Sequence, residues 1–162
     1  MSTVVAEQDF TQPVVRRKSL SAVNRATLAT SVDFGEHGHF VFDEPSAHGG
    51  TDLGPSPLQG VLGALCACEA VTFGRTAQEQ GFDYSAIAFA AAFSIDIRGR
   101  QGVRSVVPHF RSVKVEATVM TSESPVRLQE VVEETEARCP VYNLVKDAGV
   151  RIEMVWIRKS PD

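Results

Sequence analysis

Cysteine is scarce in this chain, with three in 162 residues. Nothing near the N-terminus has the apolar run of a secretory leader, so the three do not suggest a disulfide framework and the expected compartment is the cytoplasm. The thiols are then catalytic, redox-active, metal-binding or simply buried. Basic charge is not in excess: 16 Lys and Arg stand against 20 Asp and Glu, a net charge of −4. A general nucleic-acid binder needs a basic face, so no nucleic-acid partner is expected. The longest apolar run reads as too short and too interrupted to cross a bilayer, and no membrane partner is expected. There is no phosphate-binding or dinucleotide fingerprint, no repeat and no low-complexity segment, and no cofactor is expected.

What is present is a globular composition, 43% hydrophobic and 22% charged, sized for one domain with a real core. Its centre is Gly54 to Gly81. Ser56 and Pro57 form a helix start signal and Gly81 a stop. Between Gly60 and Phe73 the only charge is Glu69, so the segment reads as a buried helix apolar on nearly all sides. Upstream, residues 1–12 are polar and loose, and Val14–Lys18 is a short strand or docking arm. Asn24 to Phe34 and His39 to Phe42 read as a β-hairpin across Gly35-Glu36-His37-Gly38. Asp43 to Gly54 is a loop whose glycines permit a tight turn into the helix. Downstream come a strand over Ile87–Ile97, a basic turn over Arg98–Arg104 and a half-wet strand over Val106–Met120. A helix from Pro125 follows, then a short helix over Val141–Ala148 and a closing strand over Val150–Ile157. Strands and helices do not alternate strictly, so the class is α+β. The boundaries are an arm over 1–23, a domain over 24–158 and a tail over 159–162.

Cys66 and Cys68 are about 200° apart on a helix and face opposite ways, so they share no site. Cys139 precedes Pro140 at a helix start, a position that holds a thiol out of the helix and lowers its pKa. From spacing alone, a redox pair and inert buried thiols both remain open. Glu69, a lone charge in an apolar helix, needs a cationic partner or a raised pKa. It is read either as a carboxylate orienting an arginine near Cys68 or as half of a buried or interfacial structural ion pair. His37 and His39, placed on one strand face, and His48 are weak metal candidates, and no metal is assigned.

The stretch Asp43 to Thr72, DEPSAHGGTDLGPSPLQGVLGALCACEAVT, together with RCPVYNL at Arg138 to Leu144, resembles the OsmC/Ohr family. The resemblance implies an OsmC-like α+β fold in which central buried helices are enclosed by antiparallel-rich sheet in an intertwined homodimer. It implies thiol-dependent reduction of organic hydroperoxides, with Cys68 at the peroxidatic position, Cys139 at the resolving one and Cys66 spare. An external dithiol reductant would reset the pair. Two departures point to the broader OsmC-like branch. Leu58 stands where the peroxidases carry a Glu, and the Gly35–Gly38 turn has no arginine. Cys68 lies 11 residues past Pro57, about 16 Å along the axis, where helix-dipole help has faded. A cation must come from elsewhere, and Arg16, Arg17, Arg25, Arg98 and Arg100 are the candidates. The alternative is a non-catalytic protein of this fold that binds a small hydrophobic ligand in a pocket at the dimer interface.

Overall fold

The structure is a computed structural model that describes residues 10–161; the expectation for residues 1–9 lies outside them. The chain forms two compact units, one ending at Ser56 and the other starting at Pro57.

The first unit is a three-stranded antiparallel meander of β1 (Ser21–Asn24), β2 (Thr30–Asp33) and β3 (His39–Phe42). The segment read as one strand from Asn24 to Phe34 is therefore broken. Asn24 breaks it: its side-chain amide donates to the carbonyls of Thr27 and Ala29 at 2.8 and 2.9 Å. Its Oδ1 accepts from the Ala26 amide, and Ala26 takes a positive φ of 60°. An Asn side chain offering the backbone local partners competes with the strand ladder. Val14–Lys18 is neither helix nor strand. His37 closes a 3-10 turn over Gly35–His37 and His39 opens β3, so the two do not share a strand face as expected.

The loop after β3 is organised by Asp43, which is fully buried. Its carboxylate accepts from the amides of Glu44, Thr51 and Leu53 and, at 2.6 Å, from the Thr51 hydroxyl. The loop closes tightly enough that a Cβ on Gly50 would sit 1.7 Å from the Glu44 carbonyl oxygen, and one on Gly54 would sit 1.9 Å from that of Val41. Only glycine permits such backbone approach.

The second unit carries α1 (Pro57–Gln80), β4 (Ala86–Ile95), α2 (Ile97–Arg100), β5 (Phe110–Met120), α3 (Pro125–Arg138), α4 (Pro140–Asp147) and β6 (Arg151–Lys159). Its sheet has the order β4-β5-β6, with β5 antiparallel to β4 and parallel to β6. The parallel pair needs a crossover, which α3 and α4 provide. Along β5 every second residue, Val113, Val115, Ala117 and Val119, is buried, while Lys114 and Glu116 are exposed. The α+β class stands, and several boundaries move. The strand read over Ile87–Ile97 ends at Ile95, and Asp96 caps the short α2 by accepting from the Arg98 amide at 3.1 Å. The strand read from Val106 begins at Phe110, because residues 106–109 form the approach packed around Gly99, where a Cβ would meet Pro108 Cα at 2.8 Å.

The helix α1 starts at Pro57 and stops before Gly81, which takes φ +60°. Its 24 residues span about 36 Å, so it is long and apolar enough to cross a membrane, contrary to the expectation from sequence. Yet it packs against α3, α4 and β4 and places a charge-bearing side chain, Glu69, in the buried stripe. That stripe is Leu62, Leu65, Glu69, Phe73, Thr76 and Ala77, at helical spacing. The N-terminal half meets Phe110, Val113, Val115, Val145 and Val150. In the C-terminal half, Phe73 stacks on Trp156 at 5.3 Å and meets Phe82 and Tyr84 edge-on. The opposite face is open: Val71 is 55% exposed, and Ala64 and Ala67 beside it are exposed too. Among the described residues of its own unit, the helix is thus covered on one side and not on all sides.

Candidate functional site

The site lies where the middle of α1 meets the junction of α3 and α4. Pro140 makes that junction. The residue before a proline is driven to extended geometry, and Cys139, at φ −69° and ψ 114°, is at once the last cap of α3 and the first of α4. Its sulfur accepts from the Tyr142 amide at 3.5 Å. Asn143 ties the corner by donating to the carbonyls of Glu136 and Cys139 at 3.0 and 2.9 Å.

Cys139 is fully buried. Burial, then the neighbouring Glu69 carboxyl, then the Cys68 thiol push its pKa up to about 12, and the Tyr142 amide offsets only part of this. This corrects the expectation that a helix start would lower it: one amide loses to desolvation and an adjacent carboxylate. The same contacts bring Cys68, Glu69 and Cys139 together. Cys68 is half-buried. Cys66, on the other side of α1, packs against the Leu62–Leu65 cluster, and burial pushes its thiol up.

Glu69 is fully buried, and neither carboxylate oxygen has a hydrogen-bond partner. Its pKa is raised, first by burial and also by the like charge of Glu136, against a lowering influence from the facing Cys139 thiol. No cation is among the groups that set Glu69 or Cys139. The reading of Glu69 as half of a buried ion pair within the chain is thereby corrected for the described residues. Of the candidate cations, Arg98 is held by Asp96 through two N–H donors, at 2.9 and 2.5 Å, and Arg16, Arg17 and Arg25 belong to the unit that ends at Ser56.

Two members of the site escaped sequence reading. Glu136, on α3, accepts from the Trp156 indole at 3.0 Å. Tyr142 has its phenol pKa raised, chiefly by burial and also by Glu136 and Glu69. The spacing of Tyr142 three residues past Cys139 was a usable signal; that of Glu136 was hidden in a run of exposed glutamates. Near the start of α1 an apolar cleft of about 300 Å³ is lined by Leu58, Val61, Phe110, Leu144 and Val150, with His109 at its edge. Among the described residues no group of three or more His, Cys, Asp or Glu is placed to hold a metal.

Fold and site together define a class: a long core helix bearing a cysteine, faced by a second cysteine at a proline-made helix junction. The comparisons give that class a family. The OsmC-like protein family matches residues 49–155, well over half of the chain, and the chain belongs to it. The OsmC-like protein from Mycoplasma pneumoniae superposes with a TM-score of 0.75 at 15% identity, over 92% of this chain and all of that one. The organic hydroperoxide resistance protein OsmC from Legionella pneumophila, a predicted redox protein, gives 0.65 at 15% identity over 90% and 99%. An organic hydroperoxide resistance protein from Elizabethkingia anophelis gives 0.69 at 13% identity over 90% and 100%. At these identities the likeness is one of fold. No curated protein matches the chain in sequence.

Proposed function

We propose that this protein is a thiol-dependent hydroperoxide reductase working through Cys68 and Cys139. The observation that carries the reading is the contact of the two thiols, 71 positions apart in the chain, at a buried corner beside a carboxyl. The Cys68 sulfur attacks the outer oxygen of a hydroperoxide, the O–O bond breaks, and the alcohol leaves with a proton. Cys68 becomes a sulfenic acid, which condenses with Cys139 to a disulfide and water, and an external dithiol returns both thiols. Support also comes from the hydroperoxide-resistance proteins that share the fold. The open face of α1, with Val71 exposed, is assigned to a second copy of the chain in a homodimer, and the cytoplasm to the protein as a whole.

The test is hydroperoxide consumption with a dithiol reductant: wild type turns over, and Cys68→Ser does not. Equal consumption by both proteins refutes the reading. The apolar cleft at Leu58 favours a second reading, a binding protein for a small hydrophobic ligand. On that reading, ligand binding persists in Cys68→Ser while wild type leaves the hydroperoxide untouched.

A further inference from the structure

Glu69 has no structural explanation in its surroundings. It is buried completely, its oxygens make no hydrogen bond beyond the contact with the facing Cys139 thiol, and among the described residues no cation is one of the groups that set it. An apolar side chain would fill the same place without desolvating a carboxyl. The groups facing it are few. Its own helix offers Cys66, the α3–α4 junction offers Cys139, which also meets Cys68, α4 offers Tyr142, and α3 offers Glu136, which is already engaged by Trp156 of β6.

The chemistry of the Cys139 thiol supplies a reason. With a pKa near 12, only roughly one part in 10⁵ is thiolate at neutral pH, and the thiolate is the nucleophile. A resolving cysteine held that way needs a base in contact with its sulfur. Glu69 is the carboxyl against that thiol, and both of its oxygens are uncommitted.

Resting on the Cys68–Cys139 reading, we propose that Glu69 transfers the proton of the resolving step, taking it from the Cys139 thiol and passing it to the hydroxyl that leaves Cys68. The Cys139 sulfur supplies the electron pair of the new S–S bond. The S–O bond of the Cys68 sulfenic acid breaks with its pair on oxygen, and the proton carried by Glu69 makes that oxygen water. Cys68–SOH and Cys139–SH become the disulfide and one water, and Glu69 ends as it began. The oxidation was supplied by the hydroperoxide, so the step needs no further reagent. The Glu69 pKa is raised, chiefly by burial, which favours uptake of the proton that the Cys139 thiol gives up.

The experiment separates the two oxidation steps. Protein is treated with one equivalent of hydrogen peroxide, the sulfenic acid at Cys68 is trapped with dimedone at intervals, and disulfide closure is followed by mass spectrometry from pH 5 to 9. Wild type is expected to close faster as pH rises and then level off, as Glu69 finishes ionising. Glu69→Gln is expected to form the sulfenic acid but to close it roughly 10² times more slowly or worse, with a rate that climbs about tenfold per pH unit and no plateau, because hydroxide must replace the base. Normal sulfenic acid formation with equal closure rates in the two proteins overturns the role of Glu69 alone. Absence of sulfenic acid at Cys68 in wild type overturns the peroxidase reading and this inference with it. Should Glu69→Gln not fold, Glu69→Met decides in the same assay, since closure as fast as in wild type overturns the proposal.

Discussion

Replacing Glu69 by Met should make the protein more stable. The perturbation exchanges a fully buried carboxyl whose two oxygens have no partners for an apolar chain of similar length, among Leu65, Phe73 and the Cys139 corner. A buried polar group without partners costs about 1–3 kcal/mol, more when charged. Substitution by a well-packed apolar residue should recover roughly that, or about 2 to 12 °C in Tm for a chain of this size. The gain must depend on pH in a particular direction. Glu69 has its pKa raised by burial and by Glu136. Its folded state therefore holds the proton more tightly than the unfolded chain, whose glutamates titrate near 4.3. Wild-type stability is then fullest below that value and falls as pH rises through the folded pKa. The difference between Glu69→Met and wild type should be small at pH 4 and widen toward neutrality, as read by urea unfolding at several pH values. A variant less stable than wild type by more than about 1 kcal/mol at pH 7 would refute the reasoning. It would mean that Glu69 makes a favourable charged contact in the folded protein. The gain in stability should come with slowed disulfide closure, the trade expected where a site holds a strained group for function.

Cys66 packs with the Leu62 and Leu65 cluster and is not among the groups that act on Cys139, so Cys66→Ala should leave disulfide closure unchanged and cost about 1 kcal/mol, read by denaturant unfolding. Asp43 is held near a pKa of about 2 by the Thr51 hydroxyl and the amides of Leu53, Glu44 and Thr51, against its burial. Its contribution should be present above pH 4 and lost as pH falls through 2, and in Asp43→Asn the Thr51 amide should exchange hydrogen faster at pH 6 than in wild type. Light scattering at micromolar concentration should give twice the chain mass, since the α1 face that bears exposed Val71 is uncovered among the described residues of its own unit; a folded monomer would contradict the proposed homodimer.

The parts of the fold that could be read in advance are those governed by neighbours in sequence. Ser56-Pro57 and Gly81 bracket α1, and Cys139-Pro140 divides α3 from α4. The opposed faces of Cys66 and Cys68 followed from helical geometry alone. What escaped depends on side chains acting over a few residues or on partners far away. Asn24 closes a turn that its β-branched surroundings concealed. Pro108 against Gly99 delays β5. That Glu69 would lack a counter-ion, and that Cys139 would be driven up rather than down, depend on contacts between α1 and the α3–α4 corner, about 70 positions distant in the chain. No local pattern reports such contacts. The all-round apolarity of α1 signalled burial but not what buries it, and the described residues of its own unit cover one side.

The central claim is that Cys68 and Cys139 act as a pair. Its most direct measurement is peptide mapping by mass spectrometry after one equivalent of an organic hydroperoxide, with free thiols alkylated beforehand in a control. The account predicts a Cys68–Cys139 disulfide within the chain, with Cys66 still alkylatable. A Cys66–Cys68 or Cys66–Cys139 linkage, or three free thiols after the hydroperoxide has been consumed, would contradict it.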